Sequence, residues 1–265
     1  MKIAVTGASG RMGRAVLAAV QAHPALELAG AVVRPGDRAC GQDAAVLVGG
    51  EPTGVSVSAQ AEEVIARCDI LVDFTRPAAS REYAEICARL GKGAVIGTTG
   101  FDSRDHARLQ TLARQTRFVV AANMSVGVTL ALHLLGIAAR VLSDADIEIL
   151  ETHHRHKVDA PSGTALRLGE VAAQARGQAL SDVAVYDRAG QTGPRVAGTI
   201  GFATIRAGEV VGEHRVYLAL PSERLEIAHV ADNRQVFAEG ALRAAQFLRS
   251  AAPGLYDMQD VLGLR

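Results

Sequence analysis

Five ionisable side chains follow one another without a break from His153 to Lys157, in the order His-His-Arg-His-Lys. They stand between an apolar strand pattern and a helix pattern that begins near Gly163. A core has little use for five such groups, because each must be desolvated or paired. An anionic ligand would use them, and the backbone N–H groups of Gly163 and Thr164 at the helix start would favour the same ligand. The segment therefore predicts a site for an anion.

Two other interpretations of this segment stay open on the residues alone. A solvated basic turn would leave the same charges in water. A zinc site would need His154 and His156 to point to one side of an extended strand. No Cys-x-x-Cys pair or His-Glu-x-x-His helix accompanies them, so no metal is expected.

Composition limits the partners of such a site. The 265 residues are 49% hydrophobic and carry 28 basic and 28 acidic side chains, which cancel. Without net charge the chain offers no field for nucleic acid or an anionic membrane surface, so we expect a small-molecule partner. There is no signal-peptide pattern and no apolar run near the ~20 residues of a membrane span. With three cysteines that lack metal or redox spacing, these features predict a cytoplasmic protein.

The first half of the chain alternates short β-branched runs with longer helical patterns. Strands are predicted at 2–6, 26–33, 70–74, 94–96 and 118–121, and helices at 11–21, 78–90 and 103–115. Apolar strands separated by helices predict a parallel sheet covered on both sides, which is a doubly wound Rossmann-type α/β domain. Such a sheet binds its ligand at the carboxyl ends of the strands.

Loops rich in small residues stand at three of these strand ends. The first, from Gly7 to Gly13, has the spacing G-x-x-G-x-x-G, whereas the usual dinucleotide fingerprint is G-x-G-x-x-G. Its glycines let the backbone approach a pyrophosphate that rests on the next helix. The other two loops are 74–77 and 97–100. Together the loops predict a dinucleotide site, although a glycine-rich turn also occurs in α/β proteins without a nucleotide.

The end of the second strand bears on which nucleotide fits. An acidic residue there would hold the ribose 2′-hydroxyl of NADH, but this chain has Val33 followed by Arg34. Arg34, helped by Arg38, would meet the 2′-phosphate of NADPH, so NADPH is expected to be accepted at least as well as NADH. Asp37 lies beyond a Pro-Gly turn. If the chain folds back there, its carboxylate could take the place of the missing acidic residue, which weakens this expectation.

The second half predicts a different domain. A long helix pattern covers 127–142, a strand at 147–152 delivers the histidines, and strand-like runs follow at 198–207, 210–220 and 225–230. Short turns predict an antiparallel meander, within an α+β domain whose sheet is mixed and largely antiparallel. One face of such a sheet commonly packs on another subunit, so we expect a homo-oligomer.

A last amphipathic helix pattern at 234–249 is expected to return to the first domain. The predicted domains are therefore discontinuous. Residues 1–126 and 235–265 are expected to form the dinucleotide-binding domain. Residues 127–234 are expected to form a domain for substrate binding and oligomerisation.

Several motifs, in order along the chain, resemble those of the dihydrodipicolinate reductase family. They are Gly7-Ala8-Ser9-Gly10-Arg11-Met12-Gly13, Asp73-Phe74-Thr75-Arg76-Pro77, Gly97-Thr98-Thr99-Gly100, Ala121-Ala122-Asn123-Met124-Ser125-Val126-Gly127, and the stretch from Glu151 to Ala165. The resemblance implies a homotetrameric enzyme of the diaminopimelate route to lysine. Such an enzyme reduces the cyclic dicarboxylate 4-hydroxy-tetrahydrodipicolinate with NADPH or NADH, and water is lost.

The resemblance also implies residue roles, position by position. His153 would be the acid/base group, Lys157 the proton donor and His154 a substrate contact. The N–H groups of Gly163 and Thr164 would bind a substrate carboxylate. The implied cofactor contacts are Gly7, Ala8, Ser9, Gly10, Arg11, Met12, Arg34, Gly97, Thr98, Thr99, Ala121, Ala122, Asn123 and Met124.

Two positions depart from the family pattern. Some members have an acidic residue where this chain has Val33, which puts a strict NADH preference in doubt. Many have Phe where this chain has Met124, whose flexible apolar side chain is expected to fill the same space. Arg155 and His156 have no implied role and are expected to pack behind the site.

Two other functions compete with this one. A short-chain dehydrogenase shares the glycine spacing, but none of the four tyrosines has the required lysine four positions on. A non-enzymatic NADP-binding redox sensor would need the nucleotide loops without the histidine cluster. Replacing His153 and Lys157 would separate the sensor from an enzyme.

Overall fold

A computed structural model describes all 265 residues of the chain, which divides into two compact units. The first unit comprises 1–126 and 234–265, and the second comprises 127–233. Arg234 thus belongs to the first unit, one residue before the predicted boundary. No helix combines the length and the apolar character that a membrane span requires.

The elements are numbered in chain order. The strands are β1 (Lys2–Thr6), β2 (Glu27–Val32), β3 (Val57–Ser58), β4 (Ile70–Asp73), β5 (Gly93–Ile96), β6 (Arg117–Val120), β7 (Asp146–His153), β8 (Ala184–Val185), β9 (Ile200–Arg206), β10 (Gly212–Ala219), β11 (Arg224–Ala231) and β12 (Gly254–Tyr256). The helices are α1 (Arg11–Ala22), α2 (Ala61–Ala66), α3 (Pro77–Arg89), α4 (Ser103–Leu112), α5 (Val126–Val141), α6 (Gly163–Ala175), α7 (Leu180–Val183), α8 (Gln235–Leu248) and α9 (Met258–Leu262).

The first unit is built on a seven-stranded sheet in the order β12-β6-β5-β4-β1-β2-β3. All of its pairings are parallel. Strands β4 and β5 are buried at every position, as strands covered on both faces must be. The chain runs outward from β1 in both directions, so the topological switch point lies between β1 and β4. The predicted doubly wound fold is confirmed.

Close backbone approaches hold two helices on this sheet. In α1, a Cβ on Gly13 would lie 2.1 Å from the carbonyl oxygen of Gly7, so the helix can start this close to β1 only with glycine. In α8, a Cβ on Gly240 would lie 1.8 Å from the carbonyl oxygen of Met124. Helix α8 also packs on α1, as the return of the last helix predicted. Met124 is fully buried in the same core, where such a side chain contributes about 1.5–3 kcal/mol.

The second unit has a five-stranded mixed sheet in the order β11-β10-β7-β9-β8. Alternate residues of β7 are buried, and its covered face shares a core with residues of α5 and α6. Strand β10 is antiparallel to both β7 and β11, whereas β9 is parallel to β7. The mixed sheet is therefore confirmed.

The predicted meander is wrong at its first turn. Strands β9 and β10 do not pair, because β7 lies between them. The connection from β9 to β10 passes over the end of β7, where the N–H of Ala207 donates to His153 O and the N–H of Arg155 donates to Gly208 O. A five-residue connection can close a hairpin or step over one strand, about 10 Å in all. The local sequence pattern does not distinguish a hairpin from a connection that crosses one strand.

Candidate active site

The histidine cluster begins on a strand and leaves it at once. His153 is the last residue of β7 and lies in register with Arg206, the last residue of β9. The side chains of Glu151 and His153 share the covered face of the sheet, with relative exposures of 1% and 9%. Residues 154–157 then turn away from the strand. Because no strand continues through this run, it does not form the extended arrangement that the zinc alternative required, and no metal-binding cluster is present.

Glu151 accepts hydrogen bonds from several directions. Its Oε2 lies 2.5 Å from His153 Nδ1 and 2.8 Å from Arg206 Nη1. Its Oε1 accepts from Arg206 Nη2 at 2.7 Å, from the Ser162 N–H at 3.0 Å and from Thr204 Oγ1 at 3.3 Å. One buried carboxylate thus joins β7 and β9 to the start of α6.

The start of α6 is anchored beside this carboxylate. Ser162 is the N-cap, and its Oγ accepts from the N–H of Ala165 and lies 2.9 Å from His214 Nε2. Gly163 and Thr164 are the first two residues of the helix, where backbone N–H groups have no intrahelical acceptor. Nothing lies within 4 Å of the position a Gly163 Cβ would take, so this end of the helix is open.

Burial and hydrogen bonding set the protonation of these groups. Burial alone would raise the pKa of Glu151, but hydrogen bonds from Arg206 and His153 bring it below its ordinary value. Burial, aided by the charges of Lys157 and Arg206, lowers the pKa of His153 below its ordinary value, although Glu151 acts to raise it. Burial, reinforced by the charge of His153, lowers the pKa of His214 to about 4. At neutral pH the site holds an ionised carboxylate next to two neutral imidazoles.

The rest of the cluster divides into enclosed and exposed groups. Lys157 Nζ pairs with both oxygens of Asp159, at 2.8 and 2.9 Å. His154 Nδ1 is shielded from solvent and has no hydrogen-bond partner. The expectation that Arg155 and His156 pack behind the site is wrong. Both are exposed, because the turn after β7 carries their side chains outward.

The glycine-rich loop of the first unit is open above α1. Gly10 is the N-cap, no side chain caps the helix, and its first turn has no acidic residue. The N–H groups of Arg11 and Met12 and the helix dipole can therefore act on an anion. Gly7 adopts a positive φ of 61°, which turns the chain sharply at the end of β1. This arrangement fits the pyrophosphate of a dinucleotide.

A buried carboxylate also ties the strand ends of this unit together. Asp73 Oδ1 accepts from Thr6 Oγ1 at 2.5 Å and from Thr75 Oγ1 at 2.7 Å. Its Oδ2 accepts from Ser80 Oγ and, at 3.2 Å, from Thr98 Oγ1. The hydroxyls come from β1, from the loop after β4, from α3 and from the 97–100 loop. The structure thus brings the second and third of the predicted nucleotide loops, 74–77 and 97–100, together with the end of β1, which leads into the first.

The remaining predicted cofactor contacts lie at the ends of β6 and β2. Residues 121–124 follow β6, and Asn123 Oδ1 accepts from the N–H of Ser125. Arg34 is exposed just after β2. Asp37 does fold back, since its Oδ2 accepts from Ser9 Oγ at 2.8 Å. The loop after β2 therefore presents a carboxylate as well as a guanidinium, and the expectation of an NADPH bias from Arg34 alone was incomplete.

A parallel sheet with an open glycine-rich loop at its switch point, on a chain that also has a buried acid/base cluster, defines a dinucleotide-dependent oxidoreductase. Two family models cover nearly all of the chain. The one described as dihydrodipicolinate reductase, N-terminus, matches residues 1–124, and the one described as dihydrodipicolinate reductase, C-terminus, matches residues 127–262. The chain belongs to the dihydrodipicolinate reductase family. It is an oxidoreductase whose cofactor is NADH or NADPH, as the resemblance predicted.

Individual relatives agree with the family models. A 4-hydroxy-tetrahydrodipicolinate reductase of Cupriavidus metallidurans is 52% identical over 266 residues, which is 100% of each chain. The protein of the same name from Neisseria meningitidis serogroup C is 52% identical over 100% of this chain and 98% of its own. A solved structure of dipicolinate-bound dihydrodipicolinate reductase from Paenisporosarcina sp. TG-14 has a TM-score of 0.78 and 23% identity, and the alignment covers 98% of each chain. The last comparison shows a shared fold.

Several groups of the site were missed as individual residues. Glu151 had a signal, because residues two apart on a strand share a face and it stands two before His153. Arg206 had none, since its position beside Glu151 depends on which strand flanks β7. Asp73 stood inside a quoted motif, but its convergence with hydroxyls from other elements is a property of the fold.

Proposed function

We propose that this chain reduces 4-hydroxy-tetrahydrodipicolinate to tetrahydrodipicolinate with NADH or NADPH, with loss of the 4-hydroxyl as water, on the diaminopimelate route to lysine. The observation that carries the proposal is the ionised Glu151 beside neutral His153 at the open start of α6, in a chain of the reductase family. Full-length relatives bear the name of this activity. A structural neighbour is bound to dipicolinate, a cyclic dicarboxylate.

The start of α6 is proposed to bind a substrate carboxylate. A helix of 13 residues offers the positive end of its dipole at Gly163 and Thr164, together with their N–H groups. The open space beside Gly163 leaves room for the ligand. The unpartnered, shielded Nδ1 of His154 supports a further polar contact with the substrate.

His153 and Lys157 are proposed to handle the protons. When bound, the cofactor supplies a hydride to C4 of the substrate. The overall change adds that hydride and one proton and releases one water. Elimination of water gives a proton to the departing hydroxyl and removes one from the carbon beside C4, and the reduced ring then takes a proton back, so the net uptake is one proton. His153 is assigned as the acid/base group and Lys157 as the proton donor. Asp159, paired with Lys157 Nζ, holds that ammonium group in place.

The nucleotide loops are proposed to hold the cofactor. Their backbone groups would bind the pyrophosphate at the start of α1, and the residues after β5 and β6 would contact the rest of the dinucleotide. Arg34 and Asp37 flank the expected position of the ribose 2′ substituent. The proposed contacts are the fourteen residues predicted from the sequence, from Gly7 to Met124.

We propose that the enzyme is a homotetramer and that the open face of the second sheet supplies an interface between copies. Ile205 and Val230 are 44% and 55% exposed on this face, and Leu150 lies on the same side of the sheet. Such a face commonly packs on a second subunit. Val230→Glu should lower the native mass measured by light scattering, while wild type gives the mass of four chains.

We also propose a cytoplasmic location and no partner other than small molecules and other copies of the chain. Cys40, Cys68 and Cys87 are free thiols, which fits a reducing compartment. Burial raises the pKa of Cys68 to about 11 and that of Cys87 further, so neither is a reactive thiolate. Fractionation of the source cells with an antibody to the chain would test the location.

The function is tested by following oxidation of NADPH and, separately, NADH by the purified protein. The substrate is generated in place from pyruvate and aspartate semialdehyde by the preceding synthase. Turnover should require that synthase, and omitting it is the control. Cofactor binding without turnover in either assay would contradict the proposal and favour the redox-sensor alternative.

A further inference from the structure

Glu151 is placed to do more than support the fold. Its two oxygens meet the acid/base histidine, a bidentate guanidinium and the N–H of the α6 N-cap, all within 3.0 Å. Arg206 extends the connection, because its Nη2 also donates to the backbone oxygen of Asp159 at 2.6 Å. The same Asp159 holds Lys157. One buried ion pair thus touches every element that carries a proposed substrate or proton group of this unit.

The pair also decides which nitrogen of His153 carries a proton. An ionised carboxylate can only accept a hydrogen bond, so the ring nitrogen facing Glu151 Oε2 must be a donor. That nitrogen is Nδ1, at 2.5 Å. In neutral His153 the lone pair is then on Nε2, the nitrogen at the far side of the ring. Gly212 lies beside it, and a Cβ there would stand 3.1 Å from Nε2.

We infer that Glu151, held in place by Arg206, is a positioning residue that fixes His153 as the Nδ1–H tautomer and leaves the lone pair on Nε2, beside Gly212, for proton transfer. This inference rests on the proposed function for its catalytic consequence. The arrangement follows the logic of a carboxylate that orients a catalytic imidazole. It gives Glu151 a role in proton transfer without contact to substrate.

The arrangement also explains why a buried ion pair is kept here. An apolar pair of similar size would commonly be at least as stable, so burial of two charges needs another reason. Orienting His153 supplies that reason. The charged and titratable groups around His153 are Glu151 on β7, Arg206 on β9, His214 on β10, and Lys157 and Asp159 on the loop before α6.

The test compares Glu151→Gln with Glu148→Gln. Glu148 is a matched control, because it lies on the same strand but the opposite face and also binds two arginines, Arg188 and Arg195. Glu151→Gln should reduce kcat by at least about 100-fold, the lower range for a positioned acid or base. Cofactor affinity should stay within about twofold. Glu148→Gln should leave kcat and the pH profile unchanged.

Two further readouts separate positioning from simple loss of structure. In Glu151→Gln, the acid limb of the kcat profile should move to lower pH, because the carboxylate that favours the imidazolium is gone. Glu151→Asp keeps the charge and should recover part of the lost rate. In wild type, ¹⁵N NMR of the His153 ring at a pH above its titration should report the Nδ1–H tautomer.

The NMR result stands apart from the reaction. If wild type lacks turnover but His153 is the Nδ1–H tautomer, the proposed function fails and the positioning of the ring stands. An Nε2–H tautomer in wild type would overturn the inference even if Glu151→Gln does not fold. Equal losses of kcat in Glu151→Gln and Glu148→Gln, with unchanged pH profiles, would overturn it as well.

Discussion

Each unit buries one carboxylate near the carboxyl end of a central strand, and the two carboxylates differ in what they accept. Asp73 in the first unit accepts from neutral hydroxyls of threonines and a serine. Glu151 in the second accepts from a guanidinium, an imidazole and a backbone N–H. The four hydroxyls tie the loops together without bringing a titrating side chain into hydrogen-bond contact with Asp73. A cation and an imidazole make the second carboxylate part of the proposed proton-transfer group.

The contrast shows that a buried carboxylate at the end of a strand can serve two purposes. In the first unit a strand-end carboxylate gives the backbone of the nucleotide loops a fixed shape, which suits binding of a ligand that contacts mainly backbone. In the second it holds His153, whose protonation is proposed to change during the reaction. Substitutions in the first unit should therefore impair cofactor binding, whereas substitutions in the second should impair proton transfer.

The largest effect is expected at His153. His153→Gln keeps a polar side chain but removes the titrating ring, so kcat should fall by about 10²–10⁴-fold. The dissociation constant for NADPH, measured by calorimetry, should not change. His156→Gln is the control, because His156 is 71% exposed and its ion pair with Glu209 is 3.7 Å long, and the variant should turn over like wild type. Equal loss in both variants would mean that the cluster acts only as a basic surface.

The next effect concerns stability and pH. The pKa of His214 is lowered to about 4 in the folded chain, against an ordinary value of 6.5, so the unfolded chain binds more protons between these pH values. The free energy of unfolding should therefore fall as the pH drops from 6.5 toward 4, whereas above 6.5 His214 is neutral in both states and costs no stability. Between pH 7 and pH 5 the loss should be about 2 kcal/mol.

Urea unfolding of wild type and His214→Gln at pH 7 and pH 5 measures this contribution of His214 to stability. The variant keeps a partner for Ser162 Oγ and lacks the titration, so its stability should depend less on pH by that amount. An equal pH dependence in both proteins would show that His214 is not the group responsible.

Asp73→Asn should weaken cofactor binding without changing the chemistry. In wild type the hydroxyls donate to the carboxylate, and the amide would place its own N–H donor against them. Such a buried pair of donors costs about 1–3 kcal/mol of stability. Loosening of the loops should raise the Kd for NADPH about tenfold, with kcat at saturation within twofold. Asp69→Asn is the control, because Asp69 caps the opposite end of β4 by accepting from the Lys2 N–H. It should lose stability only.

The smallest effect is expected at Asp37. Its carboxylate, hydrogen-bonded to Ser9, should repel the 2′-phosphate of NADPH, while Arg34 attracts it. Asp37→Ser should raise the ratio of kcat/KM for NADPH to that for NADH about fivefold, because it removes a negative charge near the 2′-phosphate. Arg34→Gln should lower the same ratio. Movement of both variants in one direction would contradict this account of the β2 loop.

The sequence predicts the first unit better than the second, for a physical reason. Apolar strand runs such as 70–74 and helix periods such as 78–90 are local signals, and the rules for parallel sheets then determine the order of the strands. The second sheet depends on a choice that is not local, whether the connection after β9 closes a hairpin or crosses β7. Because a hairpin was predicted between β9 and β10, Arg206 was not expected beside Glu151.

The site shows the same division. The residue types and spacing within one segment predicted an anion site at His153–Lys157 and the α6 start, and the roles of His153 and Lys157 followed from the family resemblance. The Asp73 hydroxyls and the fold-back of Asp37 to Ser9 come from elements far apart in sequence. Short elements such as β3 and β12 were missed because two or three residues carry no period.

The most direct test of the division between the units is NADPH titration of Asp73→Asn and Glu151→Gln side by side, with substrate formed in place by the synthase. Saturating NADPH should restore the turnover of Asp73→Asn to within about twofold of wild type and leave that of Glu151→Gln at least about 100-fold low. Restoration of both variants by NADPH, or of neither, would contradict the account.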